Sequence, residues 1–376
     1  MTENSVYIGL MSGTSADAID AVAVSFAADG QLYILGHHSD ALPTEIRQQI
    51  HLLALPGSNE IDRLGSLDVK LAELFAHCVN SLINKLALDP RKILAIGSHG
   101  QTIRHRPPAP GNTPFTLQIG DPNIIAQRTG ITTVADFRRR DMAVGGQGAP
   151  LVPAFHQAAF HQRNADRLIV NIGGMANITW LPKMGGALGF DTGPGNVLMD
   201  NWVMQHLNKS YDAGGAWAKS GKVDSALLAE LLKHPFFSKK HPKSTGREDF
   251  NPEWLNAILH EVSTSALKAE DVQATLVELT ARSIAIATQD IIGATRNAEV
   301  YVCGGGAYNS HLLATIQALL PDNLVSTTEA LGIAPELIEA TAFAWLARQT
   351  ISRQTSNLCE VTGARQAVIL GGVYYA

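Results

Sequence analysis

The sequence is short of charged residues and of cysteine, and both shortages exclude classes of protein. Charged residues make up 17% of the 376 residues and apolar residues 45%, whereas a typical soluble chain carries about 25% charged residues. This balance excludes a disordered chain or a coiled coil and predicts a large buried core. Cys78, Cys303 and Cys359 are too few and too widely spaced for a disulfide framework or a zinc site, so we expect reduced thiols.

An excess of basic residues and long apolar runs are also missing. The 34 Asp and Glu residues outnumber the 29 Lys and Arg residues, which leaves a formal charge of −5 and argues against a nucleic-acid partner. No stretch approaches the ~18 uninterrupted apolar residues of a membrane span. The first residues also lack the basic and apolar regions of a signal peptide. We therefore expect a cytoplasmic protein without a nucleic-acid or membrane partner.

Glycine, by contrast, is abundant and clustered. The chain has 33 glycines, and three clusters follow predicted strands: Gly13 before Thr14 and Ser15, the pair 173–174, and the triplet 304–306. Turns of this kind let backbone N–H groups approach an anion, so a shared phosphate ligand is one interpretation. Ordinary hairpin turns are the other.

The stretches 6–26 and 167–181 share a plan of strand, glycine turn and strand. Two related α/β lobes would explain the repetition, and chance similarity of two hairpins is the alternative. We place one lobe at 1–135 plus about 345–376 and the other at 136–344, because an Arg- and Gly-rich segment begins near the boundary. Apolar residues at helical spacing predict an amphipathic helix over 67–82.

The standard nucleotide and hydrolase motifs are absent. Gly221 and Lys222 are followed by Val223 where a P-loop needs Ser or Thr, and Asn309 replaces the third glycine of a dinucleotide-binding motif. Met11 occupies the position of the nucleophile in a G-x-S-x-G elbow. Histidine spacings match no metal motif. None of these chemistries is therefore predicted.

Carboxylates in loops are more informative. Asp191 lies at a predicted strand end, where it could act as a general base or cap the following loop. Asp17 and Asp20 could hold Mg²⁺ through water or serve as turn residues. Arg138 could pair with a substrate carboxylate, whereas the two arginines after it are expected to be solvated.

Several motifs together closely resemble those of anhydro-N-acetylmuramic acid kinases. They stand in the same order from Gly9 to about Phe343, and in sequence letters they are GLMSGTSADAIDAV, IGSHGQTIRH, VADFRRRD, GGQGAPLVPAFH, NIGG-x-x-N, GFDTGPGNVLMD, PKSTGREDF and VCGGGAYN. The resemblance implies a two-lobed actin-like ATPase fold of ribonuclease H-like type, with a nucleotide and substrate cleft between the lobes. The two glycine hairpins would then be paired phosphate loops.

The resemblance also implies a reaction. Such kinases convert 1,6-anhydro-N-acetylmuramic acid, ATP and water to N-acetylmuramate 6-phosphate and ADP in murein recycling. Asp191 matches the aspartate that takes the proton of the attacking water, and Mg²⁺ would accompany ATP. A homodimer is one expectation for the assembly. An actin-like ATP-driven switch and a kinase for another amino sugar remain alternatives.

The resemblance assigns further residues to the site. Those expected to bind ATP are Gly13, Thr14, Ser15, Ala16, Asp17, Ala18, Ile19, Asp20, Gly173, Gly174, Gly304, Gly305 and Gly306. Those expected on the substrate side are His99, Gln101, Asp136, Arg138 and Glu339. Ala16 and Ala18 replace the Leu and Gly more usual in the family, so a turn that needs positive φ at Ala18 would be strained.

Overall fold

The computed structural model describes residues 5–13, 15–28, 30–109, 111–241, 243–262, 267–293 and 297–376. Within these ranges no helix combines the length and the apolar character needed to cross a bilayer. Thr14, which the resemblance assigns to ATP binding, lies outside the described residues.

Runs of strands and runs of helices follow one another along the chain. The strands are β1 (Ser5–Met11), β2 (Ala18–Phe26), β3 (Leu32–Ala41), β4 (Ile93–Ser98), β5 (Gln101–Arg106), β6 (Phe115–Ile119), β7 (Thr133–Ala135), β8 (Arg167–Ile172), β9 (Met175–Leu181), β10 (Leu188–Pro194), β11 (Glu299–Cys303), β12 (Leu324–Thr327) and β13 (Gly372–Tyr374). The helices are α1 (Thr44–Ala54), α2 (Glu60–Leu86), α3 (Pro122–Thr129), α4 (Phe137–Ala143), α5 (Val152–Phe160), α6 (Val197–Leu207), α7 (Ala216–Ser220), α8 (Ser225–Leu231), α9 (Pro235–Ser238), α10 (Pro252–Val262), α11 (Ala269–Ile292), α12 (Ser310–Leu319), α13 (Ile338–Ile351) and α14 (Cys359–Thr362).

The chain divides into two compact units. The first contains Met1–Ala159 and Leu337–Ala376, and the second contains Phe160–Glu336. The sequence had suggested boundaries after residues 135 and 344 instead. The first boundary lies later because Asp141 in α4 is bonded to side chains near the C-terminus of the same unit. The second lies earlier because the whole of α13 packs on β1 and β4.

The first unit is built on a sheet with the strand order β13-β7-β4-β1-β2-β3. Here β1, β2 and β3 form an antiparallel meander, while β4 and β7 continue from β1 in parallel. The long helix α2 covers one face of the meander with its buried apolar stripe. The amphipathic helix predicted over 67–82 is therefore confirmed, with additional turns at both ends.

The second unit repeats this arrangement in its five-stranded sheet, ordered β10-β9-β8-β11-β12. Its antiparallel meander is β8, β9 and β10, and β11 and β12 continue from β8 in parallel. Helix α11 packs behind the sheet and supplies much of the core. The predicted pair of related α/β units, each opening with a glycine hairpin, is confirmed by the shared strand order and direction.

In the first unit, two glycines let a helix backbone approach the sheet. A Cβ on Gly9 of β1 would lie 1.8 Å from the carbonyl oxygen of Ala340, and one on Gly97 of β4 would lie 2.0 Å from that of Phe343. Real Cβ atoms do not tolerate these distances, and both obstacles are rigid backbone. Glycine is therefore required at both positions for α13 to pack as it does.

We expect Gly9→Ala to destabilise the protein strongly, because the added methyl group overlaps the α13 backbone. Forced overpacking of this kind costs about 3 kcal/mol, and thermal unfolding of the full chain would measure it. Gly65→Ala is the matched control, because that glycine lies within α2 with open space around it. The control should gain about 0.5–1 kcal/mol, so equal melting temperatures for the two variants would contradict the packing argument.

Candidate active site

The turn between β1 and β2 is held by a buried polar pair. The Ser12 hydroxyl lies 2.7 Å from Oε1 of Gln101 and 3.1 Å from the Ala18 carbonyl oxygen, so its hydrogen is shared between two acceptors. Nε2 of Gln101 in turn donates to the Gly13 carbonyl at 3.3 Å. Gln101, which the resemblance places on the substrate side, thus also supports the first glycine turn. Its contact with a substrate stays a prediction.

The backbone of this turn corrects the expectation about Ala18. Ala18 is the first residue of β2, so no strain arises there. The positive φ of 53° falls instead at Ala16, whose N–H donates to the Gly13 carbonyl at 3.0 Å. A non-glycine residue in this conformation costs about 1 kcal/mol. The turn therefore does carry strain, but two residues before the position that the sequence had suggested.

The two acidic residues proposed for Mg²⁺ have different surroundings. Asp17 is largely exposed, and its Oδ1 lies 2.5 Å from Nη2 of Arg47. Asp20 pairs with Met11 across the β1–β2 ladder, and its charge raises the pKa of Glu339. A cation could replace Arg47 at Asp17 at little cost, because exposed ion pairs contribute at most about 1 kcal/mol.

Three of the predicted substrate-side residues form one electrostatic cluster. Nε and Nη2 of Arg138 lie 3.1 and 2.9 Å from Nε2 of His99, and Nη1 donates to the Gly148 carbonyl at 2.8 Å. Because a guanidinium can only donate, Nε2 of His99 must be the unprotonated acceptor. Burial, assisted by the Arg138 charge, accordingly lowers the pKa of His99 well below its usual value.

Glu339 completes this cluster from the first turn of α13. Burial lowers the pKa of Arg138 to about 10, against the opposing effect of the Glu339 charge. Burial likewise raises the pKa of Glu339, and Arg138 partly offsets the rise. The two ions therefore stabilise each other in a region where neither is well solvated.

Asp136 is placed apart from this cluster. It stands immediately before α4 with a positive φ of 61°, and its Oδ1 lies 3.4 Å from Nε of Arg139. Burial raises the pKa of its carboxyl group, which Arg139 counteracts. Arg139 and Arg140 are exposed, as the sequence predicted.

Sequence reasoning missed the structural importance of Asp141. This carboxylate is completely buried, and its Oδ1 accepts hydrogen bonds of 2.8 Å from Asn357 Nδ2 and Thr362 Oγ1. Its Oδ2 accepts from the Gly148 N–H at 2.8 Å. The Gly148 carbonyl oxygen accepts a hydrogen bond from Arg138. By fixing the backbone of Gly148, Asp141 therefore also orients the Arg138 guanidinium. An acidic residue directly after three arginines was the available signal, although the two side-chain partners, Asn357 and Thr362, are over 200 residues away.

In the second unit, Asp191 lies within a strand and not at its end. β10 continues from Leu188 to Pro194, with a register shift between Asp191 and Gly193. The prediction of a strand end was therefore wrong, because Gly193 and Pro194, which the sequence had suggested to be loop residues, still pair with β9. The irregular register nevertheless interrupts the regular ladder next to the carboxylate.

Lys243 and Thr245, which follow α9, are hydrogen-bonded to Asp191. The Thr245 N–H donates to Oδ2 of Asp191 at 3.0 Å. The backbone N–H of Asp191 donates to the Lys243 carbonyl oxygen at 3.0 Å. Burial raises the pKa of Asp191 to about 6, opposed by the Thr245 hydrogen bond and assisted by the charge of Glu248. The carboxyl group is thus poised to exchange a proton near neutral pH.

The glycine clusters of the second unit meet at one edge of its sheet. The Gly173 and Gly174 carbonyls accept hydrogen bonds from the N–H groups of residues 195–197. A Cβ on Gly304 or Gly306 would overlap Asn171 or Ile172, at the end of β8. These two glycines are therefore required for close packing against β8.

Gly174 and Gly305 differ, because both are exposed and a Cβ on either would meet no atom closer than 3.7 Å. Within the described part of the chain, no acceptor is found for the N–H of either residue. Open space beside unpaired N–H groups suits a phosphate oxygen. The residues present thus fit a nucleotide phosphate at this edge of the sheet.

Comparison with known proteins decides the family. The sequence model of the anhydro-N-acetylmuramic acid kinase family matches residues 5–376. The chain belongs to this family. It is 53% identical over 371 residues to the anhydro-N-acetylmuramic acid kinase of Saccharophagus degradans, covering 98% of this chain and 99% of the relative. The enzyme of the same name from Shewanella oneidensis is also 53% identical, covering 98% of each chain.

The family resemblance inferred from the motifs is thereby confirmed, and the chain is a kinase with the actin-like ATPase fold. A solved structure, the activator of the 2-hydroxyisocaproyl-CoA dehydratase from Clostridium difficile with bound ADPNP, is 14% identical with a TM-score of 0.43, covering 90% of this chain and 92% of that one. This likeness is distant. The shared strand order of the two sheets and the family membership carry the fold assignment.

The raised pKa of Asp191 predicts a pH-dependent effect of Asp191→Asn on stability. The pKa of the Asp191 carboxyl group is raised from 3.8 to about 6 in the folded protein. Its protonation therefore contributes fully to stability below about pH 4, and this contribution is lost as the pH rises through 6. Asparagine carries no charge, and its side-chain oxygen can still accept the hydrogen bond from the Thr245 N–H. We expect the variant to be more stable than the native protein by about 2 kcal/mol at pH 8, and by much less at pH 4.

Thermal unfolding between pH 4 and pH 8 measures this difference. Asp322→Asn is the control, because it makes the same chemical change at an exposed position. A stability difference for Asp191→Asn that does not grow with pH would show that the buried carboxyl group is not strained when it ionises.

Proposed function

We propose that the protein is an ATP-dependent kinase that opens 1,6-anhydro-N-acetylmuramic acid with water and phosphorylates O6. The products would be N-acetylmuramate 6-phosphate and ADP, in the recycling of cell-wall murein. The observation that carries the proposal is the partly buried Asp191 carboxylate, held by the Thr245 N–H and with its pKa raised to about 6. A general base for water needs both a fixed position and a pKa near the working pH.

The proposed chemistry balances around this base. Asp191 takes a proton from water as the water oxygen bonds to the anomeric carbon. The bond between that carbon and O6 breaks, and O6 bonds to the γ-phosphorus of ATP as ADP leaves. Phosphoryl transfer itself requires mainly positioning and neutralisation of charge. The demanding task for a side chain is therefore the activation of water.

For the nucleotide, we propose the glycine-rich turns of both units. In the second unit, the unpaired N–H groups of Gly174 and Gly305 suit phosphate oxygens, and Gly173, Gly304 and Gly306 shape the same edge. In the first unit, 13–20 would contribute the other phosphate turn. Mg²⁺ would neutralise phosphate charge, with Asp17 or Asp20 holding its water shell.

On the sugar side, we propose His99, Gln101, Asp136, Arg138 and Glu339. Arg138 uses three of its donors within the protein, and a guanidinium has five. The remaining N–H groups could bind the carboxylate of the muramic lactyl group. We also propose that the protein works in the cytoplasm, with homodimerisation to be determined by sedimentation.

The sugar specificity is tested by ADP release from Mg-ATP with a panel of sugars. The panel comprises 1,6-anhydro-N-acetylmuramic acid, N-acetylmuramic acid, N-acetylglucosamine and a sample without sugar. We expect release with the anhydro sugar alone, together with a 6-phosphate product. Release with an open amino sugar would exclude the water-activating role of Asp191, and release that needs no sugar would favour an ATP-driven switch.

The catalytic role predicts that Asp191→Asn lowers kcat by about a thousand-fold while nucleotide affinity stays unchanged. The same variant should be more stable than the native enzyme at pH 8, so misfolding could not explain the loss. For the native enzyme, kcat/KM should fall tenfold per pH unit below about pH 6, because the protonated carboxyl group cannot act as a base.

Glu248→Gln provides a matched test of the fall in kcat/KM below about pH 6, which is the acid limb of the pH profile. The Glu248 charge raises the pKa of Asp191, so its removal should move the limb to lower pH and leave the base in place. Near-normal turnover by Asp191→Asn, or an acid limb that Glu248→Gln leaves unmoved, would contradict the assignment.

A further inference from the structure

Three metal-ligating side chains converge in the first unit, beside the strand that carries Ile19 and Asp20 of the proposed nucleotide turn. His38 and Asp40 belong to β3, and Cys78 belongs to α2. The ligand atoms of the imidazole, the carboxylate and the thiol all lie within 4.8 Å of one another. Across the described residues, no other group of three or more such side chains is as close.

The fold explains why these residues meet. Residues two apart in a strand share a face, so His38 and Asp40 both project from the same side of β3. That side packs against α2, because the Cys78 sulfur lies 3.9 Å from the His38 carbonyl oxygen and 3.5 Å from that of Ile19 in β2. Spacing in the sequence could not reveal the cluster, since the ligands come from separate elements.

The cluster leaves a buried acceptor uncompensated. Oδ1 of Asp40 lies 3.0 Å from Nε2 of His38, whereas Oδ2 is buried without a hydrogen-bond partner. Such an acceptor loses its water and gains nothing in return. The side chains of His38 and Asp40 are 26% and 33% exposed, so an ion can reach the cluster from solvent.

The electrostatic field at the thiol favours a cation. Cys78 is completely buried, and the negative charges of Asp40 and Asp20 act on its thiol. The same negative charges attract a cation, and a bound metal ion readily displaces a thiol proton.

We propose that His38, Asp40 and Cys78 form a binding site for Zn²⁺. Imidazole, carboxylate and thiolate are the three ligand types that zinc takes in proteins, and a water molecule would complete a tetrahedron. On binding, the Cys78 proton passes to solvent, and no electron is transferred. This assignment departs from the expectation drawn from cysteine spacing alone.

Such an ion would clamp β3 to α2 and thereby stabilise the first unit. The proposal does not depend on the kinase reaction, because neither the ligands nor the readouts below involve ATP or sugar. Its failure would leave the proposed function intact, and the reverse also holds.

Cobalt titration of the whole, chelator-treated protein tests the site. We expect one Co²⁺ to bind with a thiolate-to-cobalt charge-transfer band and the release of a proton. Cys78→Ala should remove the band, and His38→Gln should weaken Co²⁺ affinity at least about tenfold. Zn²⁺ should raise the melting temperature of the native protein but not that of Cys78→Ala.

Cys359→Ala and His37→Gln are the controls. Cys359 is a free, partly exposed thiol, and His37 is the exposed neighbour of His38, so both variants should bind Co²⁺ as the native protein does. Absence of the band in the native protein would overturn the proposal, as would a band that persists in Cys78→Ala. If Cys78→Ala failed to fold, unchanged Co²⁺ affinity of His38→Gln would overturn it equally.

Discussion

The close approach of α13 to β1 and β4 is the constraint on which the first unit depends. Gly9 and Gly97 leave no room for a side chain between the strands and the helix. This contact fixes the height of the helix on the sheet, and with it the position of Glu339 in the first helical turn. The position of Glu339 beside Arg138 and His99 thus depends on the absence of a Cβ atom at Gly9 and at Gly97.

Both units carry ionisable groups in positions where charge is poorly solvated. In the first unit, Arg138 and Glu339 compensate each other, and His99 remains neutral because its neighbour is always charged. In the second unit, no cation among the described residues offsets the raised pKa of Asp191, and the charge of Glu248 raises it further. The first arrangement suits fixed recognition, whereas the second suits proton transfer, because only there do both protonation states have similar free energies.

Local patterns in the sequence predicted the elements well, because they depend on neighbours along the chain. The glycine hairpins at the start of each unit and the apolar stripe of α2 are of this kind. The surroundings of Asp191 could not be predicted in this way, because Thr245 lies 54 residues further along the chain. Asp141 was missed for the same reason.

Backbone conformation at single residues was also beyond the sequence. Comparison with the family's motif indicated that Ala18 replaces a glycine, yet the positive φ falls at Ala16 and not at Ala18. The motif resemblance compensated in part for these gaps, because it pointed to Asp191 as the candidate base. It could say nothing about why that carboxyl group would titrate near neutrality.

The discontinuity of the first unit has a consequence for biosynthesis. Its sheet begins with Ser5, but the helix that covers β1 and β4 begins only at Ile338. On the ribosome, the glycine-lined face therefore stays bare while the whole continuous second unit, Phe160–Glu336, is made. The second unit can complete its core first, and the first unit can close only after α13 has left the exit tunnel.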